Sequence, residues 1–289
     1  MNRSLGSAIA VLVFACPLLL LGQPQEAAPQ RPSVQVGVPE GRSDRGGAAN
    51  APRGRPTGPP KPVPRGANGH VLLGGSTPTE KGVWLPGPVI PNPLAIKDIP
   101  FQPWAKALFA DRKHNELEPH TRCKPSGVSR QFLTPYGVEL VELSEAQRVF
   151  VFDIGGPHTF REVFMDGRSH PKDFTPTYYG HSIGWWEGDT LVVDSVGFNE
   201  RFWIDRGQLP HTDKLHLIEK YTRTSLETMR YELTVDDPAA YTATFTGVSN
   251  LRWQADTELF EYICQQANQA HTLMVGDATS VDRTSPIVP

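Results

Sequence analysis

From residue 137 onward, apolar and polar positions alternate in short runs separated by turn residues. In 228–236, Met229, Tyr231, Leu233 and Val235 share one face, with Arg230, Glu232 and Thr234 on the other. Tyr241, Ala243 and Phe245 repeat the pattern against Thr242, Thr244 and Thr246. A period of two sends successive side chains to opposite faces, so these runs predict antiparallel strands with one buried face. The same reading predicts strands over 137–143, 148–154, 159–165, 180–186, 190–197, 215–224, 228–236, 241–246, 250–254 and 258–265. The run 148–154 is apolar on both faces, which places it centrally or beneath a helix. Residues 101–115 read as that helix. Pro103 suits a first helical position, and Trp104, Ala105, Ala107, Leu108 and Phe109 form its apolar stripe.

Short turns dominate the connections, so the expected fold is mainly β: an antiparallel up-and-down β-barrel, or a β-sandwich, with one short N-terminal helix. A single domain over 101–275 accommodates all these strands. Two connections stand out by length, 166–179 and 198–213. Turns alternate ends in an up-and-down sheet, so both loops are expected at one end, with His181 opening the strand between them. Loops this long in a compact domain usually carry function.

The N-terminal part reads differently. One early positive charge, Arg3, precedes an apolar run from Ala8 to Leu21. That is an export-signal pattern over residues 1–22, shorter than the roughly 20 apolar residues of a membrane span. The mature chain is then periplasmic or secreted, with no stable membrane span after cleavage. Residues 23–100 read as a disordered Pro/Gly-rich tether, with no aromatic residue before Trp84. The tail 276–289 is read as disordered too. Residues 23–83 hold eight Lys/Arg against four Asp/Glu, so with Arg3 set aside residues 84–289 carry −8, against −3 for the whole chain. An acidic folded part argues against nucleic acid as a partner. Cys123 and Cys264 remain after signal removal. In an oxidising compartment they favour a disulfide closing about 140 residues, over two buried thiols.

The string Tyr179-Gly180-His181-Ser182-Ile183-Gly184-Trp185-Trp186-Glu187-Gly188-Asp189-Thr190-Leu191-Val192-Val193-Asp194, with Pro103-Trp104-Ala105-Lys106-Ala107 and Cys123-Lys124-Pro125-Ser126-Gly127, resembles a family of exported bacterial proteins of unknown function. The likeness runs over roughly residues 100–271. It implies export and a β-rich domain, and supplies no activity, substrate or cofactor.

Candidate chemistry gathers in the two long loops. Tyr178, Tyr179, His181, Trp203 and His211 are the expected lining of a small-ligand site, in which Trp203 closes as a lid. A rival set, His170, His181, His211, Asp173 and Asp205, has the donor types for zinc or a similar ion, though its spacing matches no metal signature. Without metal, His181 or His211 beside Asp173 or Asp205 would serve acid–base chemistry in a hydrolase or lyase. The bland alternative is loop histidines that only hydrogen-bond locally. Gly180-His181-Ser182-Ile183-Gly184 has the letters of a nucleophile elbow but is followed by a strand rather than a helix, which argues against a serine hydrolase. A third reading is an envelope interaction protein without a pocket. It would show an exposed apolar patch. Cofactor and oligomeric state are not set by the sequence.

Overall fold

The alternating runs pair edge to edge until the sheet meets itself. The computed structural model describes residues 33–35, 59–77, 79–86, 99–132, 136–154, 159–205 and 207–264. The expected signal segment, much of the expected tether and the tail 276–289 lie outside these residues.

The described residues form ten strands: β1 (Ser33–Gln35), β2 (Gly82–Pro86), β3 (Val138–Leu143), β4 (Arg148–Asp153), β5 (Phe160–Phe164), β6 (His181–Glu187), β7 (Thr190–Val196), β8 (His216–Arg223), β9 (Thr228–Asp236) and β10 (Thr244–Ala255). Strands β2 to β10 form a closed nine-stranded barrel, sealed where β10 pairs with both β9 and β2. Closure satisfies the edge hydrogen bonds that an open sheet would expose. β1 lies parallel to the first residues of β10.

The sequence reading differs from the structure at four points. Gly82–Pro86, placed in the tether by its proline-rich surroundings, is a strand of the ring, with Val83 and Trp84 fully buried. The two short runs 241–246 and 250–254 contribute to one long strand, β10. Of the run 258–265, the described residues through Cys264 form no strand. Finally, β5 and β6 run parallel, whereas strict up-and-down alternation would make them antiparallel. The long connection between them is therefore a crossover, and it follows the barrel wall.

Two seams of the ring are short. β2 and β3 share one paired position, Trp84 with Val138, and β5 and β6 share two, Val163 with Ser182 and Phe164 with Ile183. Elsewhere the antiparallel pairs are longer, eight positions between β8 and β9.

Helix α1 (Pro103–Asn115) begins with proline at its N-terminus, as expected. It packs beside the turn after β9: Phe101 and Phe109 meet near Tyr241, and the Trp104 indole donates to Ala239 O at 2.8 Å. It does not cover β4. The outward residues of that strand, Phe150 and Phe152, instead stack with each other and with exposed Phe160. Among the described residues no helix is long and apolar enough to cross a membrane.

The barrel interior mixes apolar packing with one polar knot. Leu140, Val151, Val163, Leu191, Val193, Leu217 and Phe245 are buried in the core. Among them Arg161 on β5 forms an ion pair with Glu219 on β8, both essentially inaccessible. Arg161 also reaches Tyr221 Oη at 3.0 Å, and Glu219 accepts from Tyr221 Oη (2.6 Å) and Tyr231 Oη (2.9 Å). A buried charge pair is tolerated when most of its remaining hydrogen-bonding groups are met in this way; here Arg161 Nε alone of the guanidinium nitrogens has no acceptor. Burial works against the Arg161 charge, yet Glu219 with Tyr221 and Tyr231 together outweigh it and hold the guanidinium above its ordinary range.

Candidate functional site

The two long loops do meet, at the end where β6 starts and β7 finishes. Thr177 N–H donates to Gly197 O at 3.0 Å and Asn199 N–H to Thr177 O at 2.8 Å. Beyond that join the loops behave differently: one lies against the outer wall, the other fills the barrel end.

The second loop is packed. Phe198, Phe202, Trp203, Ile204, Leu209 and His211 are all buried. They press against an inserted segment containing a 3-10 turn (Pro119–Arg122) and the short helix α2 (Val128–Gln131), every residue of which is buried. Ser129 Oγ donates to Ile204 O at 2.5 Å, Arg130 pairs with Glu118 at 2.5 Å, and Gln131 Nε2 donates to Asp153 Oδ2 at 2.5 Å. Phe132 stacks 4.8 Å from Tyr231 in the interior. Gly127 is required here: its φ is +77° and a Cβ would lie 2.2 Å from the Phe202 ring. The expected Cys123–Cys264 disulfide is present, with Cα atoms 5.5 Å apart, and ties this plug to the chain beyond β10.

His211 and Asp205 are structural within the plug. His211 Nε2 lies 3.0 Å from Phe202 O and Nδ1 3.2 Å from Thr212 O. Asp205 Oδ1 accepts from Gly207 N–H at 2.9 Å and Leu209 N–H at 3.2 Å, closing a turn. Burial pushes the His211 imidazole down to about 4 and the Asp205 carboxyl up to about 6. Trp203, under the Arg112 guanidinium, is 4 % exposed and is no lid. Tyr179 is hydrogen-bonded through its hydroxyl to Thr159, and burial raises its pKa. Tyr178 is half-buried against the core. The five residues expected to line a ligand site thus do not face one opening, because Trp203 and His211 turn into the plug.

The expected metal set separates for the same reason. His170 and His181 come together on the outer wall, Asp173 is exposed in the crossover, and His211 and Asp205 are committed to the plug. Among the described residues no group of three or more His, Cys, Asp or Glu is placed to hold a metal ion.

The wall carries a different constellation. Asp194, facing outward from β7, accepts on one oxygen, Oδ1, from His216 Nε2 at 2.8 Å and from His170 Nε2 at 3.1 Å. His216 opens β8 beside it, and His170 is brought there by the crossover. His170 Nδ1 lies 2.8 Å from His181 Nδ1. The ring of His181 in turn stacks on Phe164 at 5.0 Å, and Arg168 covers Phe164 at 4.0 Å. The chain therefore runs His181, His170, Asp194, His216 over the outer faces of β6, β7 and β8, beside the short β5–β6 seam.

Hydrogen-bond logic assigns the protons. A carboxylate only accepts, so His170 and His216 each present Nε2–H to Asp194. Between His170 Nδ1 and His181 Nδ1, 2.8 Å apart, one nitrogen carries the proton and the other accepts it. Burial alone would raise Asp194, but the hydrogen bonds from His216 and His170 outweigh it and hold the carboxyl below its usual range. His181 is lowered, first by burial and then by His170 and Arg168. His216 Nδ1 and His181 Nε2 are the outer nitrogens of this chain. The His216 side chain is 33 % exposed.

Ser182 follows His181 but points inward, where its hydroxyl bonds to Ser195 Oγ at 2.7 Å inside the barrel. The imidazoles of the outer wall do not reach it, which removes the serine nucleophile.

No family model, curated protein or solved structure matches the chain.

Proposed function

We propose that the protein is an exported barrel that binds a small polar ligand against the His170–His181–Asp194–His216 wall and transfers a proton to or from it. The observation that carries this reading is the shared acceptor: one Asp194 oxygen orients two imidazoles through their Nε2 atoms. A neutral imidazole titrates near neutrality, and a carboxylate behind it fixes the tautomer and stabilises the imidazolium that forms. His216 Nδ1, in a side chain that is 33 % exposed, is assigned as the base. His181 Nε2 is assigned as the second proton-bearing position. Hydrolysis with water as nucleophile and elimination are the reaction classes that need only these parts. Export rests on the N-terminal apolar run and on the string resemblance.

Carbethoxylation by diethyl pyrocarbonate, mapped by mass spectrometry, tests the assignment, because the reagent attacks bare imidazole nitrogen. His216 is expected to react fastest of the chain's histidines and to slow in Asp194→Asn. Equal rates across the exposed histidines in both proteins would refute it.

A further inference from the structure

The outer face of β4 is apolar and α1 does not cover it, although a one-sided strand of a closed barrel ordinarily turns polar residues outward. Half of the exposed large apolar side chains among the described residues gather on this side: Tyr136, Phe160, Phe260 and Ile263. Phe160, 55 % exposed, stands on β5 and packs 5.9 Å from both Phe150 and Phe152 of β4. The three rings make a ridge. Beside it runs a groove of about 360 Å³, bounded by Phe152, Ile154 and Phe160 on one bank and by Leu259 and Phe260 on the other. The far bank continues through Tyr136, edge-on to Phe260 at 5.9 Å, and Tyr262, stacked on Tyr136 at 6.2 Å.

Both banks are held in place. β4 and β5 are paired from Arg148–Phe164 to Phe152–Phe160. The far bank is fixed by the Cys123–Cys264 disulfide and by Asp256 N–H, which donates to Lys81 O at 3.0 Å. Of the polar residues along the groove, Asp153 accepts from Gln131 Nε2 at 2.5 Å, Thr159 bonds to the Tyr179 hydroxyl, and Glu261 is exposed at the rim. The charges nearby are paired within the copy, Arg148 with Glu162 at 2.8 Å and Lys81 with Glu258. Recognition here rests on apolar shape rather than on an oriented polar ligand. At 41–71 % exposure, the four side chains present roughly 400 Å². A standard interface buries about 800 Å² per partner, a little over half of it apolar, so this wall with Phe150 and Phe152 supplies the apolar share of one.

We propose that this wall packs against the same wall of a second copy about a two-fold axis. A ridge beside a groove is self-complementary under that rotation: the Phe160 ridge of each copy enters the groove of the other. Aromatic rings form the water-excluded centre of such an interface, and rings already held in place cost little to order on association.

Sedimentation equilibrium of the full chain tests this. The native protein is expected to dimerise with a dissociation constant in the micromolar range or below. Phe160→Asp and Phe260→Ser, at positions exposed in the single copy and so tolerated by its fold, are each expected to raise that constant about tenfold or more, the scale of losing a central interface side chain. Trp104→Ser, exposed on α1, is expected to leave it unchanged. Hydroxyl-radical footprinting of the native chain gives a reading that needs no variant: oxidation of Phe160 and Phe260 is expected to fall as the dimer forms. The proposal is overturned if the native chain stays monomeric at every concentration, which includes the case in which residues 265–289 of the same chain cover the wall. It is overturned equally if a dimer forms with Phe160 and Phe260 still fully reactive, or if both variants dimerise as tightly as the native chain.

Discussion

His216 Nε2 donates to Asp194 Oδ1 at 2.8 Å across neighbouring strands, β8 and β7, and His170 of the crossover meets the same oxygen at 3.1 Å. One carboxylate thereby orients a base and anchors a loop. The His170 bond is one of the crossover's ties to the wall, beside Arg168 over Phe164 and the Arg148–Asp166 pair, so His170→Ala is expected to cost roughly 1–2 kcal/mol, as for loss of a hydrogen bond to a charged group. Hydrogen exchange should show the loss concentrated in residues 166–180. Unchanged protection there would mean that the crossover is held by other contacts.

The plug makes a prediction about pH. Asp205, with a folded pKa near 6, takes its proton in the folded protein before the unfolded chain does, so its contribution to stability rises as pH falls from about 6 to 4. His211 has the opposite sign. Its folded pKa near 4 means that only the unfolded chain protonates as pH drops below 6.5, so stability is lost over the same window. Each effect amounts to roughly 3 kcal/mol, and in the native protein they largely cancel. Asp205→Asn should expose the loss on acidification and His211→Gln the gain, measured as urea midpoints at pH 4 and 6.5. Parallel profiles in the two variants would contradict the assignment.

Glu219 is the hub of the interior knot. Glu219→Gln leaves Arg161 charged and unpaired, and is expected to cost about 3–5 kcal/mol by chemical denaturation. Replacing both together, Arg161→Met with Glu219→Leu, should cost less than the single change. A double variant weaker than the single would show that the pair contributes net stability.

Reduction or Cys123→Ser should destabilise by about 2–5 kcal/mol, because the Cys123–Cys264 bridge closes a long loop and holds the plug. A melting temperature insensitive to reductant would exclude that role.

The barrel was legible in the strict alternation of 228–236 and 241–246, where one face must be buried. The cysteine pair was legible from number and compartment. β2 was not, because Pro86 and the prolines around it outweighed the short apolar run Val83-Trp84-Leu85. Nor was the wall cluster. Asp194 and His216 each look like an ordinary outward polar position, and only the pairing of Asp194 with Ile218 places His216 beside it. His170 joins them because β5 and β6 are parallel, and alternation within a strand carries no information about the direction of its neighbour. His181, expected to converge with both His170 and His211, lies against His170, whereas His211 is part of the plug.

The most direct test of the wall as an acid–base site is the pH dependence of p-nitrophenyl acetate hydrolysis by the native protein, Asp194→Asn and His216→Gln. The native rate is expected to rise through the imidazole range and exceed both variants by about 10² or more, the usual scale of general base catalysis. Three superimposable profiles from folded proteins would contradict the account and leave Asp194 as a structural tie between strands and loop.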